Sequence, residues 1–462
     1  MVRPVVPPIE EGATVVAHTV SSPSGRQAST AKTTPAKRAV KLKPKWQSKV
    51  GKGTFRTTMV FKDQALVIGT HGTSLDGSNE SNDGVHVLDG KTGKETRLIA
   101  TPGKGDLDVG GVAVDGDTVF FTTDNGQIVA ASISTGKVVW TATRTGKIRP
   151  APALGDLNGD KQVDVVVGDE RGFLAAYDGA SGKRLWEVGT GQNEYGAVGF
   201  VGSPAITDLD SDGDLEIIAG ARDGVLTAYR GKTGKAIWTA TDHSGIHASP
   251  VVLDLDGDGR KEILAAWSYS TLAIFDGTTG TQRAGQSIEL DQGGIEGLFA
   301  TPVPLPGPRS GTIVVGSSWW DGEDGITIAN ADSRLFRSTE GRVTSSAVVA
   351  DLDGDGLQEA ILVTEAGKVV SLTATGIRAE LTTIAKGAET TPLLADLDGD
   401  GALELVVLGG DGVLSAFETG AKTTPVVSRF RGDDPHNTGE ISVQMALELE
   451  PVTSAPVRRP RP

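Results

Sequence analysis

The chain of 462 residues contains no cysteine, and only 5% of it is aromatic. Without thiols there can be no disulfide, thiolate zinc site or cysteine nucleophile. No apolar run approaches the length of a membrane span, and the opening MVRPVVPPIE has no apolar core after its arginine. Neither a spanning segment nor a secretory signal is therefore expected from the chain as it stands. Acidic residues are missing from residues 12–62, where Lys and Arg are scattered among Ser, Thr, Ala and Pro. Residues 1–44 accordingly read as a disordered basic linker, with anchorage to an anionic surface as the alternative. Beyond them acids predominate and bring the chain to a net charge of −15, which argues against nucleic acid as a partner. Residues 45–440 read as the folded body and 441–462 as a C-terminal tail.

What the sequence has in quantity is glycine, 62 residues, and aspartate set at every other position. In ASPVVLDLDGDGRKEILAAW, Asp254, Asp256 and Asp258 alternate between two apolar runs, and Gly257 and Gly259 allow the positive-φ turns that let the carboxylates converge. Glu262 supplies a further oxygen and the carbonyl of Arg260 another. Hard oxygen ligands on a flexible loop suit calcium better than zinc or magnesium. An EF-hand would need Glu at its twelfth position, and that position is Ala265, between β-branched flanks that favour strands.

The pattern recurs at Asp208, Asp210, Asp212, Asp214 and Glu216, at Asp351, Asp353, Asp355, Leu357 and Glu359, and at Asp396, Asp398, Asp400, Ala402 and Glu404. A looser copy has Asp156, Asn158, Asp160, Gln162 and Asp164, with Lys161 in place of a glycine, and is expected to bind more weakly. Repetition of this kind predicts about five Ca2+ sites. A second signature keeps step with the first, a glycine turn leading into a strand that ends on an aromatic, as in YDGASGKRLW (177–186), YRGKTGKAIW (229–238) and ISTGKVVW (133–140). One unit is thus an A strand, an acidic loop, a B strand, a C strand, a glycine turn and a D strand, in about 46 residues, the size of a propeller blade. Units start near residues 55, 110, 150, 202, 247, 299, 344 and 390, the sixth having lost its loop within 300–317. The expected fold is all-β, an eight-bladed β-propeller of four-stranded antiparallel blades, with seven blades as the alternative. KWQSKVGKG (45–53) resembles a D strand that precedes any blade and could complete the last one. TPVVSRF (424–430) competes for that role.

The aspartate loops followed by EI or EL strands resemble the FG-GAP or VCBS repeats of integrin-α-type propellers, and the glycine-turn hairpins resemble pyrroloquinoline-quinone-type propeller repeats. FRGDDPHNTG (430–439) is similar to a terminal element of bacterial proteins that mix the two. The resemblance implies the fold and calcium loops, and its families span adhesion, scaffolding and catalysis. A quinone cofactor is not expected, because quinone-dependent dehydrogenases resemble one another in a vicinal cysteine pair that is missing here.

The acidic loops join A to B and so share one face. On the other, Trp267, Tyr269, Trp319 and Trp320 fall in B-to-C loops, and Tyr195, Phe200, His243, His247 and Glu296 in D-to-A loops. They read either as packing or as a patch that binds a protein or glycan. His243 and His247 lack a third metal ligand, and the insertion at 71–84, with Asp76, Asn79, Glu80 and Asp83, lacks ligand spacing. The functional expectation is a calcium-binding scaffold or adhesion module outside the cytoplasm, where calcium is plentiful. The alternative is a calcium-dependent polysaccharide lyase, resembling rhamnogalacturonan lyases, that would draw on His243, His247, Arg149 and Glu296.

Overall fold

The computed structural model describes residues 40–72, 82–105, 107–189, 199–242, 244–255, 257–268, 271–289, 300–306, 312–317, 325–330, 333–338, 341–376 and 378–442. Eight four-stranded antiparallel sheets form the blades of a β-propeller, which excludes the seven-bladed alternative. Their A strands begin at Met59, Val109, Ala153, Ala205, Val251, Val303, Val348 and Leu393, within a few residues of the repeat starts in the sequence. Among the described residues no helix is long and apolar enough to cross a membrane.

Burial explains why the strands of one blade differ in composition. B strands such as Glu216–Gly220 (EIIAG) and Glu404–Leu408 (ELVVL) are buried along their whole length, because a sheet lies on either side. D strands such as Arg184–Gly189 and Ala236–Thr241 form the outer edge and alternate between exposed and half-buried positions, the period-two pattern of a strand with one wet face.

Adjacent blades are fastened by the D-strand tryptophans. Trp140 donates its indole N–H to Gly179 O at 2.7 Å in the next blade's hairpin, Trp186 to Gly231 O at 2.6 Å and Trp238 to Gly277 O at 2.8 Å. Each indole also lies flat on the turn glycine. At Gly182 (φ +70°) an added methyl group would fall 2.6 Å from the Trp140 ring, so the position needs glycine both for its dihedral and for its space. Arg97 stands where blade 1 lacks the tryptophan, and its guanidinium donates to Ser134 O at 2.6 Å and Thr135 O at 3.0 Å.

The N-terminal strand Lys43–Lys49 closes the ring as the outer strand of blade 8, paired antiparallel with Val413–Glu418. Its Trp46 docks on the blade 1 hairpin through Gly90 O at 2.8 Å, so the seam is held by the device used elsewhere in the ring. Residues 424–430 do not compete for that edge. They enter the axis, where Val427 bridges Val349.

From there the C-terminal segment visits the innermost strands in order. Ser428 O accepts from Leu394 N in blade 8 (2.7 Å), Pro435 O from Val114 N in blade 2 (2.9 Å) and His436 O from Leu154 N in blade 3 (2.9 Å). Thr438 O then accepts from Ile206 N in blade 4 (2.8 Å) and Gly439 O from Val252 N in blade 5 (2.9 Å). Arg429 reaches Met59 O of blade 1 at 3.4 Å. Inner strands have no sheet neighbour towards the axis, and this segment satisfies edge groups that would otherwise be buried unpaired.

Candidate functional site

Strand order places the A–B loops and C–D hairpins on one face and the B–C and D–A loops on the other. Each acidic loop coils around its first aspartate. In blade 7, Gly354 N and Gly356 N donate to the two oxygens of Asp351 at 2.7 and 3.0 Å, and Leu357 N donates to Asp355 Oδ1 at 2.8 Å. Gly354 (φ +76°) and Gly356 (φ +87°) meet nothing within 4 Å of an added Cβ, so the dihedral alone calls for glycine. Ser211 (φ +61°) and Lys161 (φ +68°) occupy the corresponding turns of blades 4 and 3 at a conformational cost.

The last acid of each loop opens strand B and is buried. Its outer oxygen accepts the N–H of the loop's second residue in all five copies: Leu157 to Asp164 (3.0 Å), Leu209 to Glu216 (3.0 Å), and Leu255 to Glu262, Leu352 to Glu359 and Leu397 to Glu404 (2.8 Å each). Burial pushes Glu359 up to about 7 and Asp164 up to about 6, opposed by these N–H bonds and reinforced by the neighbouring aspartates. Glu216 and Glu404 are raised for the same first reason. Candidate ligand oxygens lie within 4.8 Å of one another in three loops: Asp351, Asp353, Asp355 and Glu359; Asp208, Asp210 and Glu216; Asp396, Asp398 and Glu404. All four predicted acids of the blade 7 loop are thus brought together, whereas Asp212 and Asp214 of blade 4 and Asp400 of blade 8 stand outside their clusters. Asp256 lies outside the described residues. Such sets of carboxylate oxygens fit a hard divalent cation.

Two members of the predicted aromatic patch are packing residues. Trp267 ends strand B of blade 5 at 1% exposure, donates to Gly224 O at 3.0 Å and tilts against Phe275. Phe200 is 1% exposed, and its ring fills the space beside Gly168. Both sit where apolar surface is buried between blades, so neither offers a ring to a ligand. His247 is partly buried, its Nδ1 hydrogen-bonded to the Ser268 hydroxyl, and burial, then Arg222 and Arg56, lower it to about 4. Tyr195, Tyr269, His243, Glu296, Trp319 and Trp320 lie outside the described residues, as do Asp76, Asn79 and Glu80. Asp83 is buried at the start of a C strand. For the lyase reading, the two described candidates are His247 and Arg149, and Arg149 is ion-paired to Glu170 at 2.8 Å.

What sequence reasoning missed, Arg149 apart, is a set of paired charges among the described residues of this second face. Arg149 bridges Glu170 and, at 3.6 Å, Asp124, which also meets Lys147 at 3.2 Å. Arg342 lies 3.6 Å from Glu365, and buried His71 lies 3.1 Å from Asp108. Burial raises Glu389, whereas Arg342, Arg56 and His71 draw it back. These residues follow B strands or precede A strands of different blades. The charge at these loop positions changes from unit to unit, and only aligning the positions across the units would have picked the pairs out. Among the described residues of this face, Phe55, Arg56, His247 and Phe430 border a cavity of about 10 Å³, barely the room one water needs.

Residues 13–302 match the family described as outer membrane protein assembly factor BamB, a family of the pyrroloquinoline-quinone-type repeat. The chain belongs to that family. BamB from Moraxella catarrhalis superposes with a TM-score of 0.56 at 18% identity, covering 82% of this chain and 99% of that one. A europium-containing methanol dehydrogenase has a TM-score of 0.61 at 15% identity, covering 82% and 93%. At these identities the likeness concerns the fold. The quinohemoprotein alcohol dehydrogenase ADH IIB of Pseudomonas putida is 34% identical over 86 residues, 17% of this chain and 12% of that protein. The pyrroloquinoline-quinone-type resemblance of the hairpins is therefore correct. The FG-GAP and VCBS resemblance of the aspartate loops, and the adhesion role attached to it, gain no support from these relatives.

Proposed function

We propose that the chain is a scaffold working outside the cytoplasm, holding a protein partner on its charged face and stabilised by calcium in its A–B loops. The observation that carries this reading is the division of labour between the faces. One carries repeated, self-capped acidic loops whose geometry serves the blade. The other carries charges that differ from blade to blade, among them Arg56, His71, Arg342 and Glu389. Paired charges there favour orientation and selection of a partner over simple adhesion. The family description, an outer membrane protein assembly factor, supports a protein rather than a glycan as that partner and an extracytoplasmic location. Burial of Trp267 and Phe200 removes two of the rings a sugar would stack on.

Site-specific photo-crosslinking in the native cell tests the partner. A probe at Lys147, on the charged face, is expected to yield a discrete protein adduct that a probe at Ser181, in a hairpin of the acidic-loop face, does not. Adducts from Ser181 alone, or from neither position, refute the assignment of the face. Calcium is tested separately by melting the full chain in chelator and in millimolar calcium. An unchanged transition refutes that part.

A further inference from the structure

We propose that the axial segment carries a buried site for a small oxyanion, of the phosphate, sulfate or carboxylate type, held by one edge of the Arg429 guanidinium.

Residues 429–432 form a tight turn at the axis, closed by Arg429 N to Gly432 O at 3.0 Å and Gly432 N to Arg429 O at 3.3 Å. Arg431 takes a left-handed dihedral within it (φ +60°). The turn sends two arginines towards different blades, and both are buried, Arg429 at 3% exposure and Arg431 at 2%.

Their surroundings differ. Arg431 spends both Nη groups on the main-chain carbonyls of Ser203, Pro204, Pro250 and Asn437. Arg429 has one long bond, from Nη1 to Met59 O at 3.4 Å. Its Nε and Nη2 are buried and have no hydrogen-bond partner. Among the described residues no acid pairs with it. Asp434 and Asp433 act on it from farther away, and Asp434 Oδ1 accepts from His436 N at 3.0 Å.

Nε and Nη2 lie along one edge of the planar guanidinium, with parallel N–H bonds spaced to meet two oxygens of a single oxyanion. Chloride cannot use that pairing as fully. Burial lowers Arg429 to about 10, which still leaves it charged at neutral pH. A buried charge with two unused donors is unfavourable unless an anion joins it. Burial, then the charge of Arg429, lowers Arg431 to about 9, so an anion at this turn also relieves repulsion between the two arginines.

The test is thermal melting of the full chain, dialysed into chloride, with inorganic phosphate, sulfate or formate added at constant ionic strength. The melting temperature is expected to rise with oxyanion concentration, because the site exists only in the folded chain. Ion chromatography of the denatured protein should recover an oxyanion from the wild type, and its identity separates phosphate, sulfate and carboxylate as sources. Arg429→Lys keeps the charge and loses the paired edge, and should weaken the anion by about 10- to 100-fold, the effect of one charged hydrogen bond. Arg429→Met should remove the rise altogether; if that variant does not fold, Arg429→Lys decides. Arg184→Met, at an exposed D-strand position, should leave the rise unchanged. A rise undiminished in Arg429→Lys overturns the site. So does a wild type that shows no rise and yields no oxyanion, since the edge is then met by water.

Discussion

Arg431 is the point at which the axial segment is most exposed to test. Its side chain is 2% exposed and, among the described residues, faces no carboxylate at hydrogen-bonding distance; instead it gathers main-chain carbonyls. Nη1 donates to Ser203 O at 3.0 Å and Pro250 O at 3.4 Å, and Nη2 to Pro204 O at 2.9 Å and Asn437 O at 2.5 Å. These belong to the approaches to blades 4 and 5 and to the axial segment itself, so one guanidinium ties three stretches of chain together. Arg431→Met keeps much of the volume and leaves these carbonyls without their charged donor. Hydrogen bonds to a charged group contribute about 1.5 to 3 kcal/mol each. Relief of the buried charge offsets part of that sum, which leaves an expected loss of about 3 to 5 kcal/mol. Arg431→Lys should fall between, because an ammonium cannot reproduce the planar fork. Guanidinium chloride unfolding followed by tryptophan fluorescence gives the free energy, and limited proteolysis reports whether residues 424–441 leave the axis. If Arg431→Met unfolds within about 0.5 kcal/mol of wild type, as ordinary surface substitutions do, and its C-terminal segment stays resistant, the segment does not hold the ring as argued.

Other substitutions test the blades. Trp140→Ala removes both the ring stacked on Gly182 and the bond to Gly179, and should cost about 3 to 5 kcal/mol. Trp140→Phe should cost about 1 kcal/mol, for the bond alone; equal losses in thermal melts would mean the stacked ring contributes nothing beyond the hydrogen bond. Ser211→Gly and Lys161→Gly relieve left-handed backbone and should each stabilise by about 1 kcal/mol in denaturant titrations, whereas destabilisation would contradict the strain. His247 is held below its ordinary 6.5, at about 4, by burial. The unfolded chain therefore takes up the proton first as pH falls. Stability attributable to this residue is intact above about 6.5 and is lost on acidification towards 4. His247→Gln should flatten the stability profile in that window, and an identical profile would show that His247 is not desolvated.

The blades were legible because each blade obeys local rules that repeat. Alternating aspartates with glycines at the positive-φ turns, the Gly-Lys hairpins and tryptophans about 46 residues apart state one unit several times over, and chance does not do that. The acidic clusters followed, since a loop that coils on its own first carboxylate needs nothing from distant chain. Trp46 repeats the D-strand signature and made residues 45–53 one of two candidates for ring closure; the pairing of Lys43–Lys49 with Val413–Glu418 decided against 424–430. Trp267 and Phe200 stayed open between packing and a binding patch because a ring near a strand end reads the same whether it faces solvent or a neighbouring blade, and only the structure buries them.

The sequence alone determined the unit, its strand order and the acidic composition of the loops, because period-two patterning, turn glycines and carboxylate spacing act over a few residues; eight units rather than seven was decided by the sheets. Which loops meet an internal cation was settled only in three dimensions. Lys45 reaches Asp398 and Glu404 across more than three hundred residues of chain. The pairing of residues 427–441 with the innermost strands and the charge pairs of the second face are likewise products of closure. Electrostatics and edge pairing depend on which groups end up a few ångströms apart, and in a closed ring that is decided by the whole circuit of blades at once.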